Sequence, residues 1–268
     1  MSRDLKGVIF DIDGVLEFQS TVYPGAIETV QELRRQGLQL RFLTNSTLKS
    51  RASCAARLRT RGFMVADEDV FTASSLTAEY LRRAGPRSCW LMVDREGRDE
   101  FREFPEDSQH PEYVVIGDSR STFDFDHLNQ ALRMLLQGSK LIGMQAELLD
   151  SSMGAPELNV GSWVGMLERA AGVQAVYIGK PGAFAFETVV ASMALPPEQV
   201  AVVGDRIQTD IAGAQKLGML SVLVRTGEFR ERDLQSGDQP DVIIGGIGEL
   251  PGVLASLAPA LNTRKRSQ

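Results

Sequence analysis

Val8-Ile9-Phe10-Asp11-Ile12-Asp13-Gly14 is an apolar run that ends in two acids and a glycine. Three consecutive bulky apolar residues are too few to define a helix face, and they suit a strand buried on both sides. Residues two apart on an extended chain point the same way, so Asp11 and Asp13 can face one crevice beyond the strand end. Two like charges that close require a cation or a proton between them. Gly14 permits a sharp turn that keeps the backbone clear of a ligand. In open α/β sheets ligands bind at the carboxyl ends of strands, so every strand end is worth reading for chemistry.

Outward from this segment the same alternation repeats. Ile27, Val30 and Leu33 mark a helix, Leu40-Arg41-Phe42-Leu43 a strand, and Leu48, Ala52, Ala55 and Leu58 another helix. Further strands are expected at Trp90–Val93, Tyr113–Ile116, Lys140–Gly143, Ala175–Ile178, Val200–Val203 and Ser221–Val224. Helical spacing recurs at Leu128, Ala131, Leu132, Leu135 and Leu136, and at Phe186, Val189, Val190 and Met193. Short apolar strands separated by amphipathic helices predict an α/β fold with parallel sheets covered on both faces. Residues 95–111 are crowded with charge and 147–159 are loop-like, yet the alternation continues between them, as in an inserted α/β domain.

Composition narrows the function classes. The 268 residues carry 29 Lys+Arg and 35 Asp+Glu, a formal net charge of −6. A chain of this length holds one large domain or two modest ones, at roughly 100–200 residues each. An acidic chain repels polyphosphate, and its one basic cluster, Arg264-Lys265-Arg266, reads as a solvated tail, so no nucleic-acid partner is expected. No signal peptide and no membrane-spanning run are visible, so a cytoplasmic protein with no membrane partner is expected. Cys54 and Cys89, with His110 and His127 at unrelated spacings, make neither a zinc site nor a disulfide framework and read as half-buried free thiols.

Other strand ends supply further chemistry. Asp-x-Asp occurs at Asp11/Asp13, Asp67/Asp69 and Asp124/Asp126, and only the first follows a buried-type strand and precedes glycine. The others read as solvated loop or helix-start acids. Thr44-Asn45 end the second strand just before a helix, where they serve either as anion donors or as a helix cap. Gly204-Asp205 ends a later strand, with Asp210 five residues on. Gly117-Asp118 ends another, and pattern alone separates the two only by that second acid. Lys180, before Pro181, is the remaining strand-end cation, although a solvated lysine would look the same. A carboxylate pair, further acids, hydroxyl and amide donors and a lysine suit Mg²⁺ and a transferring phosphoryl group.

Asp11-Ile-Asp13-Gly14-Val-Leu16, Thr44-Asn45, Lys180 and Gly204-Asp205 with Asp210 resemble, in order, the four motifs of haloacid dehalogenase (HAD) superfamily phosphatases. The insertion between Asn45 and Lys180 resembles the cap of the class IIA, NagD-like branch. Gly213–Met219 and Val224–Glu228 are most similar to the subgroup that holds the phospholysine phosphohistidine inorganic pyrophosphate phosphatases.

The resemblance implies a Rossmann-like HAD core at 1–80 and 177–268, with an α/β cap of the C2 type at 81–176. It implies Asp11 as nucleophile, Asp13 as general acid and base, and Thr44, Asn45 and Lys180 as phosphate-binding residues. Mg²⁺ would be held by Asp11, the Asp13 backbone carbonyl and Asp205, with Asp210 orienting its waters. Since Asp118 falls in the cap, Asp205 becomes the expected ligand. A small phosphorylated metabolite is the implied substrate: a phosphomonoester, a phosphoramidate or pyrophosphate. A homodimer through the cap rests on the resemblance alone. One stretch departs: where many class IIA relatives carry Thr-Asn-Pro-Asp, this chain reads Met144-Gln145-Ala146-Glu147, so specificity does not carry over. The intact core motifs weigh against the other reading, a weakly active binding or regulatory protein.

Overall fold

A computed structural model describes residues 4–119, 123–150, 154–235 and 237–257. The basic cluster at 264–266 lies outside the described residues, as do 151–153 of the loop-like stretch. In chain order the strands begin with β1 (Gly7–Asp11), a β2–β3 hairpin (Glu17–Phe18, Thr21–Val22), β4 (Gln39–Thr44) and β5 (Val70–Thr72). Then come β6 (Cys89–Met92), β7 (Tyr113–Ile116), β8 (Lys140–Gly143), a β9–β10 hairpin (Leu149–Asp150, Glu157–Leu158) and β11 (Val176–Tyr177). The last are β12 (Val200–Gly204), β13 (Leu220–Val224) and β14 (Val242–Ile244).

Two parallel sheets result. A six-stranded sheet runs β14-β13-β12-β1-β4-β5, and a four-stranded sheet runs β11-β8-β7-β6. Every strand of the second lies between residues 89 and 177 in the chain, inside the interval that separates β5 from β12.

Side-chain alternation along the strands sorts the cores. Val8, Phe10, Leu40 and Phe42 face helices α1 (Ala26–Arg35), α2 (Arg51–Thr60) and α8 (Leu250–Leu257) through Val30, Leu33, Leu58 and Leu254. Ile9, Leu43 and Val202 face the other way, onto Leu76 and Leu81 of α3 (Ala73–Ala84) and Phe186 and Val189 of α6 (Ala183–Met193). That same apolar cluster continues into Leu91, Val115 and Ile142 of the second sheet. The far face of the second sheet packs Trp90, Val114 and Ile116 on α4 (Phe125–Leu136) and α5 (Val160–Ala171). The inserted sheet therefore shares a core with the first, and burial on both faces explains the unbroken apolar strands.

Several expectations are corrected. Leu48 does not belong to a helix: α2 starts at Arg51, where the Ser50 hydroxyl accepts a hydrogen bond from Ser53 N–H at 3.1 Å. The thiols are free, but Cys54 and Cys89 are both fully buried rather than half-buried. Strands β5 and β14 and helices α3, α5, α7 (Ala212–Lys216) and α8 add to the elements marked from sequence. The two strands have three residues each, too short to show a period. Helix α3 hides its inner face behind hydroxyls: Ser74 and Thr77 are buried, bonding the Thr47 and Ala73 carbonyls at 2.8 and 2.7 Å. As expected, Asp124 caps α4 and the Asp67 side chain stays half-exposed beside Arg59. Asp69, however, is not solvated: it is largely buried and pairs with Arg34 and Arg41.

Candidate active site

β1 and β12 are neighbours in the six-stranded sheet, and their carboxyl ends deliver Asp11 and Asp205 to one crevice. Between them stands Lys180. Its ammonium lies 2.8 Å from Asp11 Oδ1 and 2.7 Å from Asp210 Oδ1, with the whole lysine 3% exposed. The lysine is therefore not solvated. Burial disfavours its charge, but Asp11 and Asp210 outweigh that and hold the ammonium above the usual lysine range. Ile12 N–H donates to Asp11 Oδ1 at 2.8 Å and fixes the carboxylate's orientation.

Asn45 is not aimed at an anion through its amide. Its Oδ1 accepts from Lys180 N–H at 2.8 Å and its Nδ2 donates to the Lys180 carbonyl at 3.0 Å. Both ends of the amide clamp the lysine backbone, which aims Nζ into the crevice. Gly179 allows this clamp, since a Cβ there would stand 2.6 Å from Asn45 Oδ1. Thr44 Oγ1 accepts from Ser46 N–H at 3.1 Å and reaches Asp13 Oδ2 at 3.5 Å.

Glycine makes room for the acids. At Gly14 (φ +94°) and Gly227 (φ +65°) a Cβ would fall 2.1 Å from Asp205 Oδ2, and at Gly204 it would fall 2.2 Å from the Asp210 Cβ. A single turn of π-helix at Ile207–Ile211 brings Asp210 back under the strand end. Asp210 Oδ2 then accepts from Arg206 N–H and the Thr209 hydroxyl at 3.3 and 3.2 Å.

Ligand atoms of Asp11, Asp205 and Asp210 lie within 4.8 Å of one another. Glu228 N–H donates to Asp205 Oδ2 at 2.7 Å, but Asp205 Oδ1 is buried without a hydrogen-bond partner among the described residues. Burial, with Asp210 adding, pushes the Asp205 carboxyl up to about 7. Burial likewise raises Asp11, with Lys180 opposing and Asp210 and Asp205 adding. An unpaired buried carboxylate oxygen beside two more acids is what a cation site requires, and an all-oxygen donor set suits a hard divalent ion.

Asp13 sits at the rim, half in solvent, with Arg57 Nη2 3.4 Å from Oδ1 and 3.5 Å from Oδ2. Arg57 also contacts buried Glu17 at 3.2 Å, and Arg61, one turn on, contacts Glu17 at 3.3 Å. Neither arginine stood out in the sequence. The available signal was their i, i+4 spacing on the face of α2 that carries Cys54. Asp118, the rival acid, stands at the end of β7 in the other sheet. Its N–H bonds Thr47 Oγ1 at 2.9 Å, and it lines the cavity without joining the acid trio.

The cavity above the acids holds about 370 Å³ and is walled by both sheets' loops. Gln145, Glu147 and Asn159 come from the segments that follow β8 of the four-stranded sheet, and Arg206 and Glu228 from those that follow β12 and β13 of the six-stranded sheet.

A family model described as "Haloacid dehalogenase-like hydrolase" matches residues 8–105, and a second HAD hydrolase model matches 177–250. The chain is 32% identical over 238 residues to human haloacid dehalogenase-like hydrolase domain-containing protein 2, covering 89% of this chain and 91% of that one. The chain belongs to the haloacid dehalogenase-like hydrolase family. It is 35% identical over 238 residues to the Danio rerio phospholysine phosphohistidine inorganic pyrophosphate phosphatase, covering 86% of this chain and 87% of that one. Among solved structures, 4-nitrophenylphosphatase from Thermotoga maritima superposes with a TM-score of 0.88 at 27% identity, covering 94% of this chain and 98% of that one. NagD from E. coli K-12 superposes at 0.84 and 26% identity, covering 93% and 98%. This HAD hydrolase is thus a phosphatase-type enzyme with the class IIA architecture. Among its described residues no helix is long and apolar enough to cross a membrane.

Proposed function

We propose that the protein is a Mg²⁺-dependent phosphatase that hydrolyses a small phosphorylated molecule through a phosphoryl group carried on Asp11. One observation carries the reading: Lys180 bridges buried Asp11 and Asp210 while Asp205 Oδ1, alongside, is buried and has no hydrogen-bond partner among the described residues. Asp11, the Asp13 backbone carbonyl and Asp205 would hold the ion, with Asp210 beside it. Bound there, Mg²⁺ would neutralise charge on the acids and on the phosphoryl oxygens.

The chain's own residues then divide the work. Lys180 and Ile12 N–H both occupy Asp11 Oδ1, which leaves Oδ2 to attack phosphorus. As the bond from phosphorus to the leaving oxygen breaks, Asp13 delivers a proton to that oxygen. Asp13, now ionised, takes a proton from the water that attacks phosphorus, and the bond to Asp11 breaks. Lys180 offsets negative charge throughout. Thr44 and Asn45 serve the phosphoryl group, Asn45 by way of the lysine it clamps. The cap bounded by 81–176 closes the cavity over the substrate, and the same cap is the proposed surface for a homodimer.

The test is phosphate release from p-nitrophenyl phosphate. Release that requires Mg²⁺ and is lost to EDTA and to Asp11→Asn is expected. Robust release by the Asp11→Asn variant would contradict the assignment.

A further inference from the structure

The stretch Met144-Gln145-Ala146-Glu147 puts Gln145 and Glu147 in the cavity wall and holds them there by hydrogen bonds. Gln145 Nε2 donates to Asn159 Oδ1 at 2.7 Å, and its Oε1 accepts from Glu147 N–H at 2.5 Å. The Glu147 carbonyl accepts from Gly161 N–H at 3.0 Å, and a Cβ at Gly161 would fall 2.2 Å from the Ala146 carbonyl oxygen. Glu147 is thereby fixed against the start of α5, and its side chain, 14% exposed, crosses the cavity to the core.

There its Oε1 lies 2.7 Å from Arg206 Nη1, and the same nitrogen is 3.0 Å from Glu228 Oε2. Two carboxylates on one guanidinium leave the trio one unit negative. An arginine that faces a substrate cavity would otherwise welcome a carboxylate or a second phosphate. Here two carboxylates already outweigh its single positive charge, and a further anion meets net repulsion.

We propose that Glu147 is a specificity-determining residue: by occupying Arg206 together with Glu228, it turns the leaving-group side of the cavity against anions. The substrate is then a phosphate ester whose leaving group carries no negative charge. This rests on the phosphatase reading and adds the class of leaving group to it.

The experiment uses the full chain with Mg²⁺ and p-nitrophenyl phosphate as reporter. Glycerol 3-phosphate and 3-phosphoglycerate, which differ in a carboxylate on the leaving group, compete with the reporter, and the ratio of their inhibition constants is read. Wild type favours glycerol 3-phosphate. Glu147→Gln shifts the ratio toward 3-phosphoglycerate by about tenfold or more. Glu147→Asp keeps the wild-type preference, and Arg206→Gln moves the ratio the opposite way from Glu147→Gln. A ratio unmoved in both Glu147→Gln and Arg206→Gln would overturn the proposal, including the case where both constants weaken together because the trio only latches the cap. Absence of reporter turnover by wild type would instead overturn the phosphatase reading, and the proposal with it.

Discussion

Lys180 Nζ stands 2.8 Å from Asp11 Oδ1, and both side chains are more than nine-tenths buried. The pair sits among close charges, because Asp210 and Asp205 crowd the same space. Removing the lysine leaves buried acids uncompensated. Lys180→Ala is expected to cost about 3–5 kcal/mol of stability and to lower kcat/KM by at least about 100-fold. Urea melts and initial rates measure the two. Wild-type stability in this variant without added metal would show that the lysine does not compensate the acids.

Metal should act on stability as well as on rate. Three acids share one lysine, which leaves excess negative charge at the site, so Mg²⁺ at 100 times its dissociation constant should stabilise the fold by about 2.7 kcal/mol. Asp205→Asn is expected to abolish that gain while raising metal-free stability, since it removes a buried charge next to Asp210. Thermal melts with and without Mg²⁺ decide the matter. A metal-induced rise of wild-type size in Asp205→Asn would refute the ligand role.

Asn45 should behave as the clamp of Lys180. Asn45→Ala removes two hydrogen bonds to one backbone unit and is expected to cost about 1–3 kcal/mol, with a loss of activity that Asn45→Asp does not fully restore. The aspartate keeps an acceptor for Lys180 N–H but has no donor for its carbonyl. Full activity in Asn45→Asp would place the residue's importance elsewhere.

Gly14 and Gly227 tolerate no side chain. Alanine at either would press on Asp205 Oδ2 and would sit at positive φ, at a backbone cost of roughly 1–2 kcal/mol. The expected signature is a weakened Mg²⁺ response larger than the stability loss explains. Mg²⁺ titration of the melting temperature gives the answer.

Burial pushes the Cys54 and Cys89 thiols up to about 11. In the unfolded chain they ionise near about 8.5. The folded state therefore keeps protons that the unfolded state gives up, and this contribution is whole below about pH 8.5 and is lost as pH rises toward 11. At pH 8 a thiol reagent should label neither cysteine in the native protein and both in urea. Rapid native labelling would contradict the burial.

Most of the site was legible because its residues end strands. Asp11 and Asp205 each end an apolar run in neighbouring strands of the six-stranded sheet, where a carboxyl-end crevice brings them together. Lys180 follows β11 of the other sheet, whose strand end meets the same crevice. What escaped lies on helix faces and in loops. Arg57 is one of several arginines on α2, and only the fold reveals that it faces Asp13. Glu147 and Arg206 come from different sheets, 59 positions apart by their numbering, and no spacing rule links them. Asn45 was legible as a polar residue at the right place, but its partner, the Lys180 backbone, is a tertiary fact. Helix α3 was obscured for a local reason, since its buried serines and threonine satisfy themselves on nearby carbonyls and so mimic a polar face.

The central claim is that Asp11 carries the phosphoryl group, and Asp13→Asn offers the most direct view of it. p-Nitrophenolate departs without needing a proton, so this variant should still load Asp11 but lack the base that activates water. Rapid quenching with p-nitrophenyl phosphate and Mg²⁺, followed by peptide mass spectrometry, should find one phosphoryl group on the peptide holding Asp11. An unmodified Asp11 peptide in a variant that still releases a burst of p-nitrophenol would contradict the account.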